Sequence, residues 1–302
     1  MIKYIKYKDI DFNKYDDCIK NAVFYSVYAE SWYLKCTCTK GFDVLIYKDY
    51  EAVMPLPLQK KIFFKWIAQP KFCQQLGVFY RNKISPDTFR KFENFLHKLN
   101  VRGYNFNEEN TKHFSPEGVQ KVNQVLLLNK DYPEIYRSFN KNRKRNFRRK
   151  SKEILYIEEY FNAEEYINMV EENQPELSNK NDNKTVKKLF YAFKQRNKAA
   201  FLVVRNQEDR ILIWAVFVES GNRIILLMSV RSNKEETKSS YTSLLINHII
   251  ENNSNSDKIL DFEGSMIPKI NSFNESFGAT TNLYTTYKNM KRFDIIKKMV
   301  KK

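Results

Sequence analysis

From Tyr132 onward the hydrophobic positions follow two rhythms in turn, a helical one of about 3.6 residues and a strand one of two. Between Tyr132 and about Lys152, Ile135, Tyr136 and Phe139 share one helical face, and Phe147 returns two turns after Phe139, so the whole segment is predicted helical. Leu155–Glu158 predicts a short strand. Ala163–Glu172 and Thr185–Lys194 predict helices on either side of the polar loop Asn173–Asn183, which contains Pro175. Three apolar runs, Ala200–Arg205, Ile211–Glu219 and Arg223–Val230, predict consecutive strands, the last two turning at Gly221-Asn222. An amphipathic helix over Thr237–Glu251, a strand over Lys258–Phe262 and a helix over Ile267–Phe277 closed by Gly278 come next. A strand at Thr281–Tyr287 and a basic helix at Met290–Val300 end the chain.

The resulting order is β-α-α-β-β-β-α-β-α-β. A meander followed by β-α-β crossings implies an α/β fold, in the α+β manner of a mixed sheet with helices on both faces. The first half follows the same order less completely. Ile2–Tyr7 predicts a strand, and helical segments lie near Asn13–Asn21 and Glu30–Cys36. Strands at Phe42–Tyr47, Glu51–Leu58 and Ile62–Ala68 precede a helix at Ser85–Leu99 and a strand at Gly103–Phe106. Tyr104–Glu109 then stands where Leu260–Ser265 stands in the second half. A diverged duplication follows, with domains 1–129 and 130–302 and a cleft expected at that strand end in both halves.

Composition narrows the picture. A chain of 302 residues suits two domains, and 23 Phe and 19 Tyr within 42% hydrophobic residues can fill two cores. With 7 glycines in all, a glycine-rich phosphate cradle has few places to form. No apolar run reaches the ~18 residues of a membrane span. The alternating start Met1–Tyr7 lacks the apolar block of a signal peptide, and a reduced, cytoplasmic protein is expected. Cys18, Cys36, Cys38 and Cys73, with His97, His113 and His248, have no metal-ligand spacing, so no metal and no tightly bound cofactor is expected.

Charge adds a feature of its own. Of the net +17, more than half sits in Arg137–Lys152, where Arg137, Lys141, Arg143, Lys144, Arg145, Arg148, Arg149, Lys150 and Lys152 face no acidic residue. Like charges at helical spacing repel and gain no i,i+4 pairs. An anionic partner is therefore expected for Lys141, Arg143, Lys144, Arg145, Arg148 and Arg149: tRNA phosphates, a nucleotide-sugar diphosphate, or an acidic membrane surface touched peripherally. A solvated surface helix is the simpler alternative.

Three stretches carry a resemblance to a known family. They are Ser138–Lys150, the strand-end loop Leu260-Asp261-Phe262-Glu263-Gly264-Ser265, and Phe273-Asn274-Glu275-Ser276-Phe277-Gly278-Ala279. Together they resemble the GNAT acyltransferases, and in their tandem arrangement the Fem-type aminoacyltransferases. Ser31–Leu34, Met54–Pro57 and Gln75–Phe79 extend the likeness into the first half. The resemblance implies two tandem GNAT-like domains and transfer of an acyl or aminoacyl group to an amine, as in a cell-envelope precursor. Acyl-CoA or aminoacyl-tRNA would be the co-substrate.

It also implies roles. Backbone N–H groups near Met228-Ser229-Val230 would meet the acyl carbonyl, and Arg231, Lys234, Lys238 and Ser239 the donor phosphates. Two departures are visible. Arg231–Tyr241 has no glycine and carries Glu235 and Glu236 where such proteins turn on glycines, which weighs against a conventional CoA cradle. Asn274 stands where many of them place a proton-donating tyrosine, leaving Tyr284 and Tyr287 as substitutes.

Amine attack on a carbonyl needs an acceptor for the proton released. Asp261 and Glu263, two apart on a predicted strand, are expected on one face, one accepting the proton and the other orienting the amine, with Gly264 permitting the turn. Ser31, Trp32 and Tyr33, with Gly264 and Ser265, are expected to line the acceptor pocket. The competing expectation is a non-catalytic polyanion-binding protein on a decayed acyltransferase scaffold.

Overall fold

The computed structural model describes residues 1–61, 64–150, 154–233, 240–264 and 266–289. The predicted helix at Met290–Val300 lies outside them. The chain forms two compact units, Met1–Lys121 with the stretch from Leu283, and Val122–Asn282. The breaks thus fall at two places inside strands, whereas the sequence suggested one, at 129/130.

In the first unit, β1 (Ile2–Ile5), α1 (Phe12–Lys20), α2 (Ser31–Thr37), β2 (Phe42–Tyr47), β3 (Ala52–Lys61) and β4 (Phe64–Ala68) follow in order. Asp11 starts α1 by accepting the Asn13 and Lys14 N–H groups, each at 3.1 Å. After the short β5 (Phe79–Tyr80) come α3 (Pro86–His97), β6 (Val101–Phe106), α4 (Glu108–Phe114) and the beginning of β7 (Val119–Leu127). β1, β2, β3 and β4 pair antiparallel in sequence, β4 meets β6 in parallel through Ile67↔Val101, and β5 pairs with β3. The buried aromatics Tyr15, Tyr33, Phe42, Phe79, Phe89, Phe92, Tyr104 and Phe106 make the core.

In the second unit the basic segment is two helices, α5 (Tyr132–Ser138) and α6 (Lys141–Lys150), rather than one. Phe139 leaves the helix at ψ 139, and the Asn140 side chain accepts the Arg143 N–H at 2.8 Å, starting α6 anew. β8 (Tyr156–Glu159), α7 (Ala163–Asn173), α8 (Lys180–Arg196), β9 (Ala199–Arg205), β10 (Ile211–Ser220) and β11 (Arg223–Arg231) come next. They are followed by α9 (Ser240–Asn253), β12 (Ile259–Asp261), α10 (Pro268–Glu275) and β13 (Thr280–Tyr287). β8 to β11 form an antiparallel meander, and β12 joins β11 in parallel.

Strand alternation places helices on both faces of this sheet. Leu202, Val204, Ile213, Ala215 and Phe217 point to a core shared with Leu245, Ile246, Ile249 and Ile250 of α9 and Phe139. On the opposite face, Phe201 meets Phe190 of α8, and Trp214 meets Tyr166 of α7. The mixed α/β architecture expected from the sequence is present in this form.

Two strands cross the expected boundary. β7, supplied by the first half of the chain, pairs antiparallel with β12 through Asp261↔Val125, while β13, from the end of the second half, pairs with β6 through Thr285↔Phe106. β7 was missed because Val119, Val122 and Val125 recur every third residue, which hides the period-two signal of a strand.

Candidate functional site

The second unit opens where β11 and β12 part. The parallel ladder joins Arg223, Ile224 and Ile225 to Ile259, Leu260 and Asp261 and goes no further among the described residues. β11 nevertheless continues six residues to Arg231 along β10. Within that pairing Val216 faces Met228 and Phe217 faces Leu226, so Leu227 is an extra residue, a β-bulge. A bulge bends the strand and re-aims its peptide groups. Ser229 is exposed and Val230 fully buried just beyond it, and Arg231, half-buried, ends the strand. The next two residues are held in place. Ser232 N–H donates to Leu212 O at 3.0 Å, and Asn233 N–H to Asn173 Oδ1 of α7 at 2.6 Å. Lys234, Lys238 and Ser239 lie outside the described residues.

The two carboxylates of the strand-end loop differ sharply. β12 stops at Asp261, so Asp261 and Glu263 do not share a strand face as the sequence suggested. Asp261 is buried, and its Oδ2 accepts from Arg223 Nη1 at 2.7 Å and Asn123 Nδ2 at 3.2 Å. Its Oδ1 accepts the Glu263 N–H at 2.9 Å. A carboxylate so committed holds a loop in shape. Glu263, half-buried, takes the left-handed conformation at φ 58, followed by Gly264 at φ 53. For glutamate that conformation costs about 1 kcal/mol or more, and the Asp261 contact offsets it. At Gly264 a Cβ would stand 2.5 Å from Val122 O and 2.7 Å from Asn123 Cα, so only glycine fits against β7. Ser265 is outside the described residues.

β7 also anchors the helix beyond the loop. Gln124 accepts from Asn274 Nδ2 at 2.8 Å and donates to Asn271 O at 3.2 Å, while its own O accepts the Phe262 N–H at 2.9 Å. Asn274 is thus a buried structural amide. Tyr284 and Tyr287 belong to the first unit and are buried there, Tyr287 stacking on His97 at 4.2 Å.

The basic helix is less uniform than its composition. Lys141, Arg145 and Arg148 are exposed, whereas Lys144 Nζ reaches back to Arg137 O at 2.7 Å. Arg149 lies on α6, but its side chain is not among those described. Arg143 is a correction to the expected polyanion surface. Four residues before Phe147, it lies on the inward face and is 5% exposed, and burial pushes its guanidinium down to about 10.

Ser31, Trp32 and Tyr33 belong to the first unit and open α2. Asp16 accepts from the Ser31 N–H at 2.8 Å and from its hydroxyl at 2.6 Å. Trp32 Nε1 donates to Glu30 at 2.8 Å, and the fully buried Tyr33 donates to Phe72 O.

The expected second cleft, at Tyr104–Glu109, is filled by the unit's own chain. Leu76 N–H donates to Asn105 O at 2.9 Å, Asn105 Nδ2 to Gln74 O at 2.6 Å and Glu108 N–H to Gln75 Oε1 at 3.0 Å. The Tyr104 hydroxyl accepts the Gly77 N–H at 3.0 Å, and Asn110 accepts from Val78 N–H at 2.7 Å. The open strand end with the left-handed Glu263 belongs to the second unit.

Comparison with known proteins agrees with this fold. No protein-family model matches the sequence, and no curated protein matches it. Solved structures do. FemX aligns over 97% of this chain and 99% of its own at 9% identity, with a TM-score of 0.65. L-PGS from Bacillus licheniformis aligns over 91% of each chain at 11% identity, TM-score 0.54. A tandem GNAT protein from the clavulanic acid biosynthesis pathway, without AcCoA, covers 95% of this chain and 98% of its own at 8% identity, TM-score 0.52. The chain therefore has the tandem GNAT/Fem-like fold.

Proposed function

We propose that the second unit transfers an acyl or aminoacyl group to an amine. The observation carrying this reading is the pairing of a splayed, bulged β11 with a strained carboxylate loop on the neighbouring β12. The carbonyl carbon of the donor would sit at the splay, its oxygen facing the re-aimed peptide N–H groups of Met228–Val230. The amine lone pair attacks that carbon, and Glu263 takes the proton from nitrogen, directly or through water. The tetrahedral intermediate then expels the donor's thiolate or ribose oxygen, which leaves with the proton taken from the amine, returned from Glu263 directly or through water. Asp261 positions Glu263 and does not itself exchange protons, because Arg223 and Asn123 hold its carboxylate.

Arg231 at the end of β11, with Lys234, Lys238 and Ser239 after it, would receive the donor's phosphates. Acyl-CoA and aminoacyl-tRNA both supply them. An anionic acceptor such as a cell-envelope precursor suits the basic surface, as do peripheral contact with an acidic membrane and a cytoplasmic setting. No helix among the described residues is long and apolar enough to cross a membrane. The test is incubation with acetyl-CoA, or with a set of aminoacyl-tRNAs, and a panel of amines, read by mass spectrometry. A product heavier by one acyl or aminoacyl group is expected; none with any donor would sink the proposal.

The exposed Lys141, Arg145 and Arg148 favour a second reading, a non-catalytic polyanion binder. It predicts RNA binding that falls steeply with salt and no acyl transfer with either donor.

A further inference from the structure

Gln124 of β7 is fully buried, at a point where a strand ordinarily buries a hydrocarbon. Leu126, two residues on and so on the same face of β7, belongs to the core that includes Phe262 and Phe277. An amide in such a place costs desolvation unless its polar atoms are matched. At Gln124 both are, and both matches lie on α10. Its Nε2 donates to Asn271 O at 3.2 Å, and its Oε1 accepts from Asn274 Nδ2 at 2.8 Å. Its backbone O accepts the Phe262 N–H at 2.9 Å.

One residue therefore grips both sides of the loop that carries Glu263. Phe262 immediately precedes Glu263, while Asn271 and Asn274 lie beyond it, three apart on one face of α10. The helix begins at Pro268 after Ile267, whose side chain has no acceptor with which to cap it. The seating of α10 on β7 falls instead to Gln124 and the buried Asn274. Between the two grips the backbone is in the left-handed region, at φ 58 for Glu263 and φ 53 for Gly264. Gly264 presses on the same strand, since a Cβ there would stand 3.0 Å from Gln124 N. A conformation held against its own preference persists only where its surroundings over-determine it.

We propose that Gln124 is a positioning residue for acyl transfer: by holding Phe262 and α10 to one point on β7, it fixes the loop that aims Glu263 at the amine. The proposal rests on the acyl-transfer reading. Asp261 steadies Glu263 from within the loop, and Gln124 does so from the strand behind it.

The test is a double-variant cycle on the full chain: wild type, Q124M, E263Q and both together. Each is assayed for transfer from acetyl-CoA, or from the aminoacyl-tRNA that the wild type accepts, to the amine that it acylates, with melting temperatures recorded alongside. Q124M keeps the length of the side chain and loses both amide bonds. Its rate per folded molecule under saturating substrates is expected to fall about tenfold, with KM for donor and amine unchanged. Added to E263Q it should cause no further fall, because the group it positions is already gone. A wild-type rate in Q124M overturns the proposal and leaves the acyl-transfer reading standing. So does a fall that multiplies onto that of E263Q, which assigns Gln124 a purely structural role. Should Q124M fail to fold, N274A, which spares the Gln124 bond to Asn271, enters the same cycle with a smaller expected fall and the same contrary outcomes. A wild-type rate in E263Q, or no transfer by wild type with any donor, removes the reading itself and this proposal with it.

Discussion

At the scale of single residues, the second unit's loop shows how two neighbouring carboxylates acquire different roles. Asp261 is buried and paired with the partly buried Arg223, so removing its charge breaks that ion pair. Asp261→Asn is expected to cost about 3–5 kcal/mol in urea unfolding, and a cost below about 1 kcal/mol would contradict the network. Gly264→Ala should also destabilise, by about 1–3 kcal/mol, because the new methyl meets Val122 O at 2.5 Å. Arg143 runs the opposite way. Burial pushes its folded pKa down to about 10, below the ordinary guanidinium range, so across the interval between the two the folded state binds the proton less tightly. That penalty, on the order of 3 kcal/mol, is fully present at neutral pH and lifts only as pH rises through that interval. The thiols give a simpler check. Burial pushes Cys18 up to about 11 and Cys38 up to about 12, so both should resist alkylation at pH 8 until the protein unfolds, while half-buried Cys36 reacts first. Rapid alkylation of Cys18 or Cys38 in the native protein would contradict this packing. The loop Asp261–Gly264 was legible in the sequence as a motif. Its division of labour was not, because Arg223 and Asn123 reach Asp261 from 38 and 138 residues away. The inward turn of Arg143 was legible in principle, from its i,i+4 spacing to Phe147.

At the scale of elements, the meander and its crossings followed from alternation and turn residues, and the sheet of the second unit confirms that reading. What periodicity hid was the partner of β12. β7 spaces Val119, Val122 and Val125 at every third position and comes from the other half of the chain, so neither local pattern nor the assumed boundary pointed to it. The break between α5 and α6 is a capping event at Asn140, invisible to a hydrophobic count that runs smoothly through Phe139. Replacing Asn140 by Ala should cost about 1 kcal/mol, read in chemical denaturation. The filled strand end of the first unit makes another element-level prediction. Tyr104→Phe deprives the Gly77 N–H of its acceptor and the Pro55 O of its donor at 3.0 Å each, for a loss of about 1–3 kcal/mol. Acyl transfer, measured in the same variant, should be unchanged per folded molecule.

At the scale of the whole molecule, the two units differ in what they do with the corresponding strand end. In one, the chain's own segment from Gln69 to Tyr80 lies across Tyr104–Asn110. In the other, β11 and β12 part and the loop between β12 and α10 presents a glutamate in a conformation that needs support. The large positive charge belongs to this scale as well, since it sets the attraction for anionic partners without deciding the chemistry. The account turns on Glu263 as the proton acceptor, and the rate of acyl transfer by Glu263→Gln under saturating donor tests it most directly. The variant keeps the size, the backbone N–H bond to Asp261 and the fold, so its melting temperature should match wild type while the transfer rate falls about 100-fold or more. A Glu263→Gln protein that transfers at the wild-type rate would contradict the account.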